Sequence, residues 1–163
     1  ITGMNIIDNL LLRDYKKLPF VKHSIVNRSA MRKNAEEKMQ QYQVRASGKS
    51  GVDTQVRLLS GGNQQKLIIA RELTDSAKLI IASQPTRGLD IGATEFVRQQ
   101  LINQRNAGKA VMLISADLEE IMSLSDRIAV LFGGKIVGVL SREEATVQKI
   151  GLLMGGISEE EEK

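Results

Sequence analysis

The sequence predicts an α/β fold. Two short apolar runs, at residues 79–82 and 110–115, have the length and composition of buried parallel strands. The segment between them, at 93–107, has the spacing of a helix. A further helix begins after the turn at residues 60–62, where Leu67, Ile68, Ala70 and Leu73 recur at helical spacing. At 163 residues, 42% of them hydrophobic, the chain can build a single core.

The first part of the chain is predicted to be helical. Residues 4–13 form a helix with an apolar stripe, and a loop through Pro19 leads to a second helix at 28–42. The residues between 43 and 58 are predicted to be a solvated loop. The stripe of the first helix consists of Ile6, Ile7, Leu10 and Leu11.

The most informative stretch is Leu59-Ser60-Gly61-Gly62-Asn63-Gln64-Gln65-Lys66. A Ser-Gly-Gly turn that opens into a helix presents free backbone N–H groups and the positive end of a helix dipole. Because the glycines carry no side chain, an anion could approach these groups closely. Taken alone, such a tripeptide is more often a plain N-cap.

The strand at 79–82 is followed by Ser83-Gln84-Pro85-Thr86-Arg87-Gly88-Leu89-Asp90, where Pro85 and Gly88 force the chain out of the strand. After the strand at 110–115 come Ala116 and Asp117, and Asp117 is predicted to cap a helix at 118–124.

A hairpin and a final helix complete the predicted fold. Strands at 127–132 and 135–140 are joined by Gly133-Gly134, a two-residue turn that tolerates positive φ. Ser141 and Glu144 have the spacing of a capping box for a last helix that ends near residue 154. The acidic tail, 158–163, is predicted to be disordered.

In order and spacing, these motifs resemble the ABC-type ATPases. The resemblance extends from about residue 1 to residue 155. It is closest to the second ATPase domain of the tandem-domain transporters for simple sugars and nucleosides. It implies a partial P-loop NTPase domain with a helical subdomain, in which the turn at 60–62 is the signature motif that caps the phosphate of a nucleotide held by another ATPase domain. It further implies that Gly88-Leu89-Asp90 is the D-loop, which crosses to that partner. The nucleotide-binding residues expected from the resemblance are Ser60, Gly61, Gly62, Asn63, Gln64 and Asp90.

The chain departs from the family pattern at three catalytic positions. Ser83 stands where the family has the Asp that helps to hold magnesium, and Gln84 replaces the Glu that polarises the attacking water. An amide can orient water but cannot take its proton, so general-base assistance of about 10²- to 10⁴-fold should be lost. Ala116 replaces a His that contacts the terminal phosphate. We therefore predict no catalytic residues and no metal ligands in this site.

No Gly-x-x-x-x-Gly-Lys-Ser/Thr phosphate loop occurs in the sequence. Gly48-Lys49-Ser50 matches only the end of that motif. Gln43 stands where the first glycine should be, and no buried strand precedes the fragment. The chain is thus expected to begin part-way through an ATPase domain, without the strand that feeds the phosphate loop. The fragment alone is predicted to be inactive and to hold no cofactor, whereas the intact tandem protein would bind ATP and Mg²⁺.

The composition of the chain excludes some kinds of site and leaves several partners open. The chain has no Cys, which excludes disulfides and thiolate metal sites, and no apolar run approaches the roughly 18 residues of a membrane span. Its one His, His23, is expected on the surface. Residues 1–71 hold 13 Lys and Arg against 5 Asp and Glu, which leaves a basic face that could meet nucleic acid, a membrane surface or only solvent. The residues noted on this face are Lys16, Lys17, Lys22, Arg28, Arg32 and Lys33.

Three segments are expected: a helical subdomain and linker at 1–58, the signature helix and remaining α/β core at 59–157, and the tail. Because the strand between 110–115 and the hairpin is missing, unpaired edges should result. We expect those edges to close directly on each other or to pair between chains as an oligomer.

The favoured function is a nucleotide-binding component of a nucleoside or simple-sugar ABC importer, cytoplasmic and peripheral on the cytosolic face of the plasma membrane. Its partners would be a second nucleotide-binding domain, in the same or another chain, and transmembrane permease subunits. No nucleic acid is expected. Two alternatives stay open: an enzyme in which Gln84 is competent, and a nucleic-acid-associated ABC protein that uses the basic half.

Overall fold

The computed structural model describes residues 1–23, 25–46, 50–73 and 76–157. These residues form two compact units. Unit 1 consists of Ile1–Ile80 and Pro85–Ala110, and unit 2 of Ile81–Gln84 and Val111–Lys163. The segment boundaries predicted at residues 58 and 157 stay predictions, and the tail at 158–163 lies outside the described residues.

Unit 1 begins with the two predicted helices. Helix α1, Ile6–Leu11, is capped by Asn5, whose side chain accepts from the backbone N–H of Asp8. Its predicted stripe faces inward, since Ile6, Leu10 and Leu11 are buried. Helix α2 spans Arg28–Gln41. The connection holds a small antiparallel hairpin that the sequence did not predict, β1 (Val21–Lys22) with β2 (Ile25–Val26).

The prediction of a solvated loop at 43–58 is wrong. Two short 3₁₀ helices lie there, Gly51–Asp53 and Val56–Leu58. Backbone hydrogen bonds from Ile6 N–H to Thr54 C=O (3.1 Å) and from Val56 N–H to Met4 C=O (3.0 Å) pair this segment with the N-terminus. Paired backbone lets its apolar side chains enter the core, and three valines are buried there: Val44, Val52 and Val56. Gly48 and Lys49 of the Gly48-Lys49-Ser50 fragment lie outside the described residues.

Helix α3 spans Gly61–Glu72, and helix α4 spans Ile91–Asn106. Helix α3 begins at the predicted turn, with Ser60 as its N-cap, whereas α4 begins two residues before the predicted start at 93 and is capped by Asp90, which was not predicted as a cap. Together with α1 and α2 they enclose the core of unit 1, which contains Ile6, Leu10, Ala35, Tyr42, Val44, Val52, Val56, Leu59, Leu67, Ile69, Ala70 and Val97.

Strand β3, Leu79–Ser83, pairs with strand β4, Ala110–Ile114. Hydrogen bonds from Ala110 N–H to Lys78 C=O (2.9 Å) and from Gln84 N–H to Ile114 C=O (2.7 Å) advance in the same direction along both strands. The pairing is therefore parallel, as predicted. The expected burial is wrong, because Ile81 is 62% and Met112 53% exposed. Burial of a parallel sheet needs a layer on each face, and one face of this pair is uncovered.

Unit 2 contains the C-terminal elements. Helix α5, Leu118–Leu124, is capped by Asp117 as predicted. Strands β5 (Arg127–Phe132) and β6 (Lys135–Ser141) form the predicted hairpin, and both turn glycines have positive φ, +55° at Gly133 and +77° at Gly134. Helix α6, Val147–Met154, packs Ile150 and Leu153 against the buried face of the hairpin.

The capping box at Ser141 forms but does not start the last helix. Ser141 N–H donates to the Glu144 carboxylate at 2.9 Å, and Glu144 N–H donates to Ser141 Oγ at 3.3 Å. The pair closes a turn, and the N-cap of α6 is Thr146, whose Oγ1 accepts from Lys149 N–H at 3.1 Å. The predicted cap of this helix is wrong because a second capping residue follows it.

The sheet edges do not close directly on each other. In the part of the chain that the structure describes, β3–β4 and β5–β6 are separate two-stranded sheets. Direct closure is thus wrong, while pairing between chains stays a prediction. Over those same residues, no helix is long and apolar enough to cross a membrane.

Candidate functional site

The turn at Ser60 is built by its own side chains. Ser60 is extended, with φ −62° and ψ 158°, and its Oγ accepts from Asn63 N–H at 3.4 Å and from Asn63 Nδ2 at 2.9 Å. Both contacts use the hydroxyl oxygen as an acceptor, so its proton remains able to donate to an approaching anion. Ser60 is exposed, as is Gly61 after it.

The two glycines differ in their surroundings. A Cβ added at Gly61 would meet no atom within 4 Å, so this residue faces open space. At Gly62, a Cβ would lie 3.0 Å from Ala93 Cβ and 3.5 Å from Asp90 Oδ2. The absence of a side chain at Gly62 therefore lets the start of α3 pack closely on the start of α4, while Gly61 leaves the turn open.

Asn63 and Gln64 hold the turn in place. The Oδ1 atom of Asn63 accepts from Arg45 N–H at 2.7 Å, and the Nε2 atom of Gln64 donates to Leu59 C=O at 2.9 Å. Both side chains, predicted to contact nucleotide, are thus engaged within the protein. Their contacts fix the residues on either side of Ser60.

Asp90 lies next to the turn, since a Cβ at Gly62 would be 3.5 Å from its Oδ2. Its Oδ1 accepts from Ala93 N–H at 2.8 Å and so caps α4. The preceding Gly88 has φ +74°, a conformation that favours glycine. The structure thus brings Asp90 and Gly62 together within unit 1.

The three predicted non-catalytic positions lie at the ends of β3 and β4. Ser83 ends β3 and is exposed, and the hydrogen bond from Gln84 N–H to Ile114 C=O brings the two strand ends together. Ala116, two residues beyond Ile114, is exposed as well. Gln84 has φ +48°, which is uncommon for a residue with a side chain. The sequence gives no signal for this conformation.

Gln65 was not predicted to have a role in the site. Its Nε2 donates to Pro85 C=O at 2.9 Å, so α3 is joined to the residue that follows β3 and Gln84. A polar residue in the second turn of a helix carries no sign of such a partner in a single sequence.

The comparisons with known proteins agree with this geometry. A family model described as ABC transporter matches residues 5–87, about half of the chain. The chain belongs to the ABC transporter family. The fold agrees, since a nucleotide-free ATP-binding cassette from an ABC transporter superposes with a TM-score of 0.72 over 97% of this chain and 64% of its own, at 18% identity.

A second solved cassette of an ABC transporter is described as dimeric and in a post-hydrolysis state, bound to ADP and Pi. It matches with a TM-score of 0.68 and 25% identity, over 87% of this chain and 58% of its own. The α/β ABC cassette fold predicted from the sequence is thereby confirmed.

Similar curated proteins are import ATP-binding proteins. The guanosine import protein NupO of Bacillus subtilis is 49% identical over 94% of this chain, and the nucleoside import protein NupA of Lactococcus lactis is 44% identical over the same share. The glucose import protein TsgD13 of Haloferax volcanii is 38% identical. The chain spans 30% of the length of the first two relatives and 28% of the third.

Proposed function

We propose that this chain is part of the ATP-binding component of an ABC importer for nucleosides or simple sugars. The relatives at 49% and 44% identity are named for guanosine and nucleoside import, and a relative at 38% for glucose import. In this proposal the component binds ATP with Mg²⁺ as a tandem protein. It works with transmembrane permease subunits on the cytosolic face of the membrane.

Within that component, the turn at Ser60–Gly61–Gly62 meets the triphosphate of an ATP held by a partner nucleotide-binding domain. The observation that carries this proposal is the open space at Gly61, next to an exposed Ser60 hydroxyl at the start of α3. The N–H groups of the first helical turn have no acceptor within the helix. A helix N-terminus stabilises an exposed anion by about 0.3–1 kcal/mol, and by up to about 2 kcal/mol when partly buried.

The domain's own site is proposed not to hydrolyse ATP. Ser83, Gln84 and Ala116 offer no carboxylate and no imidazole where the strands end. A hydroxyl cannot supply the charge with which a carboxylate holds Mg²⁺. The turn at Ser60 would instead close the partner's site only while ATP is present, because ATP would bind the closed pair better than the open one.

Two charge variants at Gly61 test the role of the turn. In the full-length protein that carries this chain, Gly61→Glu and Gly61→Gln place side chains of equal size into the same open space. If phosphate docks there, the carboxylate should lower ATP turnover more than the amide does. Gly3→Glu is the matched control, since Gly3 is exposed and a Cβ there also meets nothing within 4 Å. Equal turnover in all three variants and the parent would exclude a phosphate at this turn.

The nucleic-acid alternative is not favoured by the charge arrangement. Three of the six basic residues noted on the N-terminal face are ion-paired: Lys17 with Asp14 (2.6 Å), Arg32 with Asp53 (2.8 Å) and Lys33 with Glu37 (3.9 Å). Such pairs leave fewer cations to neutralise a phosphate backbone.

A further inference from the structure

Two contacts fasten the segment from Pro85 to Ala93 to the signature helix α3. At one end, Gln65 Nε2 donates to Pro85 C=O at 2.9 Å. At the other, Gly62 packs against Ala93, where an added Cβ would lie 3.0 Å from the alanine Cβ. The residues between them form a turn, closed by Leu89 N–H donating to Thr86 C=O at 3.2 Å.

The hydrogen bond from Gln65 satisfies the backbone carbonyl of Pro85. Proline has no N–H, so its carbonyl is the only backbone group of that residue that can form a hydrogen bond. Pro85 is buried, where an unpaired carbonyl would be costly. Gln65 is half-buried, and its amide reaches this carbonyl from the adjacent helix.

We propose that Gln65 is a positioning residue that couples nucleotide contact at Ser60–Gly62 to the order of the 85–90 segment. This inference rests on the proposed function. A phosphate at the turn would hold the start of α3, and the Gln65 bond would transmit that restraint to Pro85. From there it would reach the D-loop residues before Asp90. Energetic coupling of this kind travels through hydrogen bonds and packed side chains between rigid elements.

The position of Gln65 makes the coupling local. Gln65 lies three residues after Gly62, so the two contact points sit about one turn apart on the same helix. Lys66 adds a third contact between α3 and α4, with Nζ 4.8 Å from the centre of the Phe96 ring. The contacts of Gly62 and Lys66 reach α4, and Leu89 within the turn packs against the core of unit 1, so the hydrogen bond from Gln65 is the contact that links α3 to Pro85 itself.

Hydrogen exchange tests the proposal in the full-length protein, with and without a non-hydrolysable ATP analogue and Mg²⁺. In the parent, the analogue should slow exchange in both 59–66 and 86–92. Gln65→Leu and Gln65→Glu remove the donor, and should keep protection at 59–66 while lowering it at 86–92 by about fivefold or more. Gln65→Lys keeps a donor of similar reach and should retain protection in both segments.

A matched control and thermal unfolding separate coupling from misfolding. Gln99→Leu makes the same chemical change on α4, where Gln99 is exposed and donates to Asn103 of the same helix, and should leave both segments protected. Gln65→Leu and Gln65→Glu differ in polarity, so the two would not misfold for the same reason. Thermal unfolding shows which variant remains folded, and hydrogen exchange of that variant provides the test. If the Gln65→Lys variant loses protection at 86–92 together with the donor-free variants, a hydrogen-bond donor at position 65 is not what preserves that protection, and the proposal is overturned.

The outcomes also distinguish this inference from the proposed function. If the analogue protects neither segment in the parent, the phosphate contact at the turn is itself wrong. If it protects 59–66 alone, or if the donor-free variants keep protection at 86–92, the phosphate contact stands and the coupling through Gln65 is rejected.

Discussion

The Asn63 side chain accepts a hydrogen bond from the backbone N–H of Arg45, with 2.7 Å between oxygen and nitrogen. The same amide donates to Ser60 Oγ at 2.9 Å. One side chain therefore ties the chain after α2 to the residue that caps α3. The turn at Ser60–Gly62 is held by this connection as well as by its glycines.

Replacement of Asn63 by alanine should destabilise unit 1. Two side-chain hydrogen bonds would be lost, each worth about 0.5–1.5 kcal/mol, so the free energy of unfolding should fall by about 1–3 kcal/mol. Urea denaturation measures the change. Asn103→Ala is the control, because Asn103 bonds to Gln99 on an exposed face of α4 and its loss should cost less than about 0.5 kcal/mol. Equal losses in the two variants would contradict a structural role for Asn63.

The two glycines of the turn should respond oppositely to alanine. Gly62→Ala places a methyl group 3.0 Å from Ala93 Cβ, and overpacking of this kind costs about 1–3 kcal/mol. Gly61→Ala meets open space within the first turn of α3, where alanine is favoured over glycine by up to about 1 kcal/mol. Thermal unfolding of both variants checks the contrast. A stable Gly62→Ala protein would show that the two helices can separate at no cost.

Local signals explain which parts of the fold could be predicted. The start of a helix at the Ser60 turn, the cap at Asp117 and the turn at Gly133-Gly134 each depend on a few adjacent residues, and the structure confirms all three. The segment at 43–58 was mispredicted because its order comes from pairing with residues 2–6, which no local pattern reports. The prediction that β3 is buried was wrong for a similar reason, since burial depends on a covering layer rather than on the strand itself.

The same distinction applies to the candidate site. The Ser-Gly-Gly turn could be located from its residues, but the bond from Gln65 to Pro85 joins positions 20 apart in the chain. The left-handed backbone at Gln84 likewise depends on the exit from β3 rather than on the residue type. A single sequence records the residues of a turn but not the distant carbonyls that they reach.

The segment at 43–58 contributes buried side chains to the core of unit 1, and this contribution can be tested directly. Val52 is only 3% exposed, and burial of a valine side chain contributes about 1.5–3 kcal/mol, so Val52→Ala should lose a large part of this. Leu58→Ala is the control, because Leu58 in the same segment is 66% exposed. Chemical denaturation should show a clear loss for the first variant and little change for the second. The reverse order would restore the interpretation of a solvated loop.

The turn that precedes α6 should make the stability of unit 2 sensitive to acid. The backbone N–H and the hydroxyl of Ser141, with a smaller contribution from Lys149, hold the pKa of Glu144 below its usual range. Because the pKa is lowered in the folded state, the ionised carboxylate stabilises the fold above the pKa of an unfolded glutamate. That contribution is lost as the pH falls through the lowered folded value.

Ser141→Ala should raise the pKa of Glu144 part-way toward its usual value, because the hydroxyl bond is lost while the backbone N–H remains. An NMR titration of the Glu144 carboxyl carbon measures the shift. The same variant should show a shallower loss of stability between neutral and acid pH, because the pKa of Glu144 would then differ less between the folded and the unfolded state. Ser29→Ala, an exposed serine of α2, should leave the Glu144 titration unchanged. If Ser141→Ala leaves it unchanged too, the hydroxyl bond does not form in solution, and the turn before α6 is held by the backbone alone.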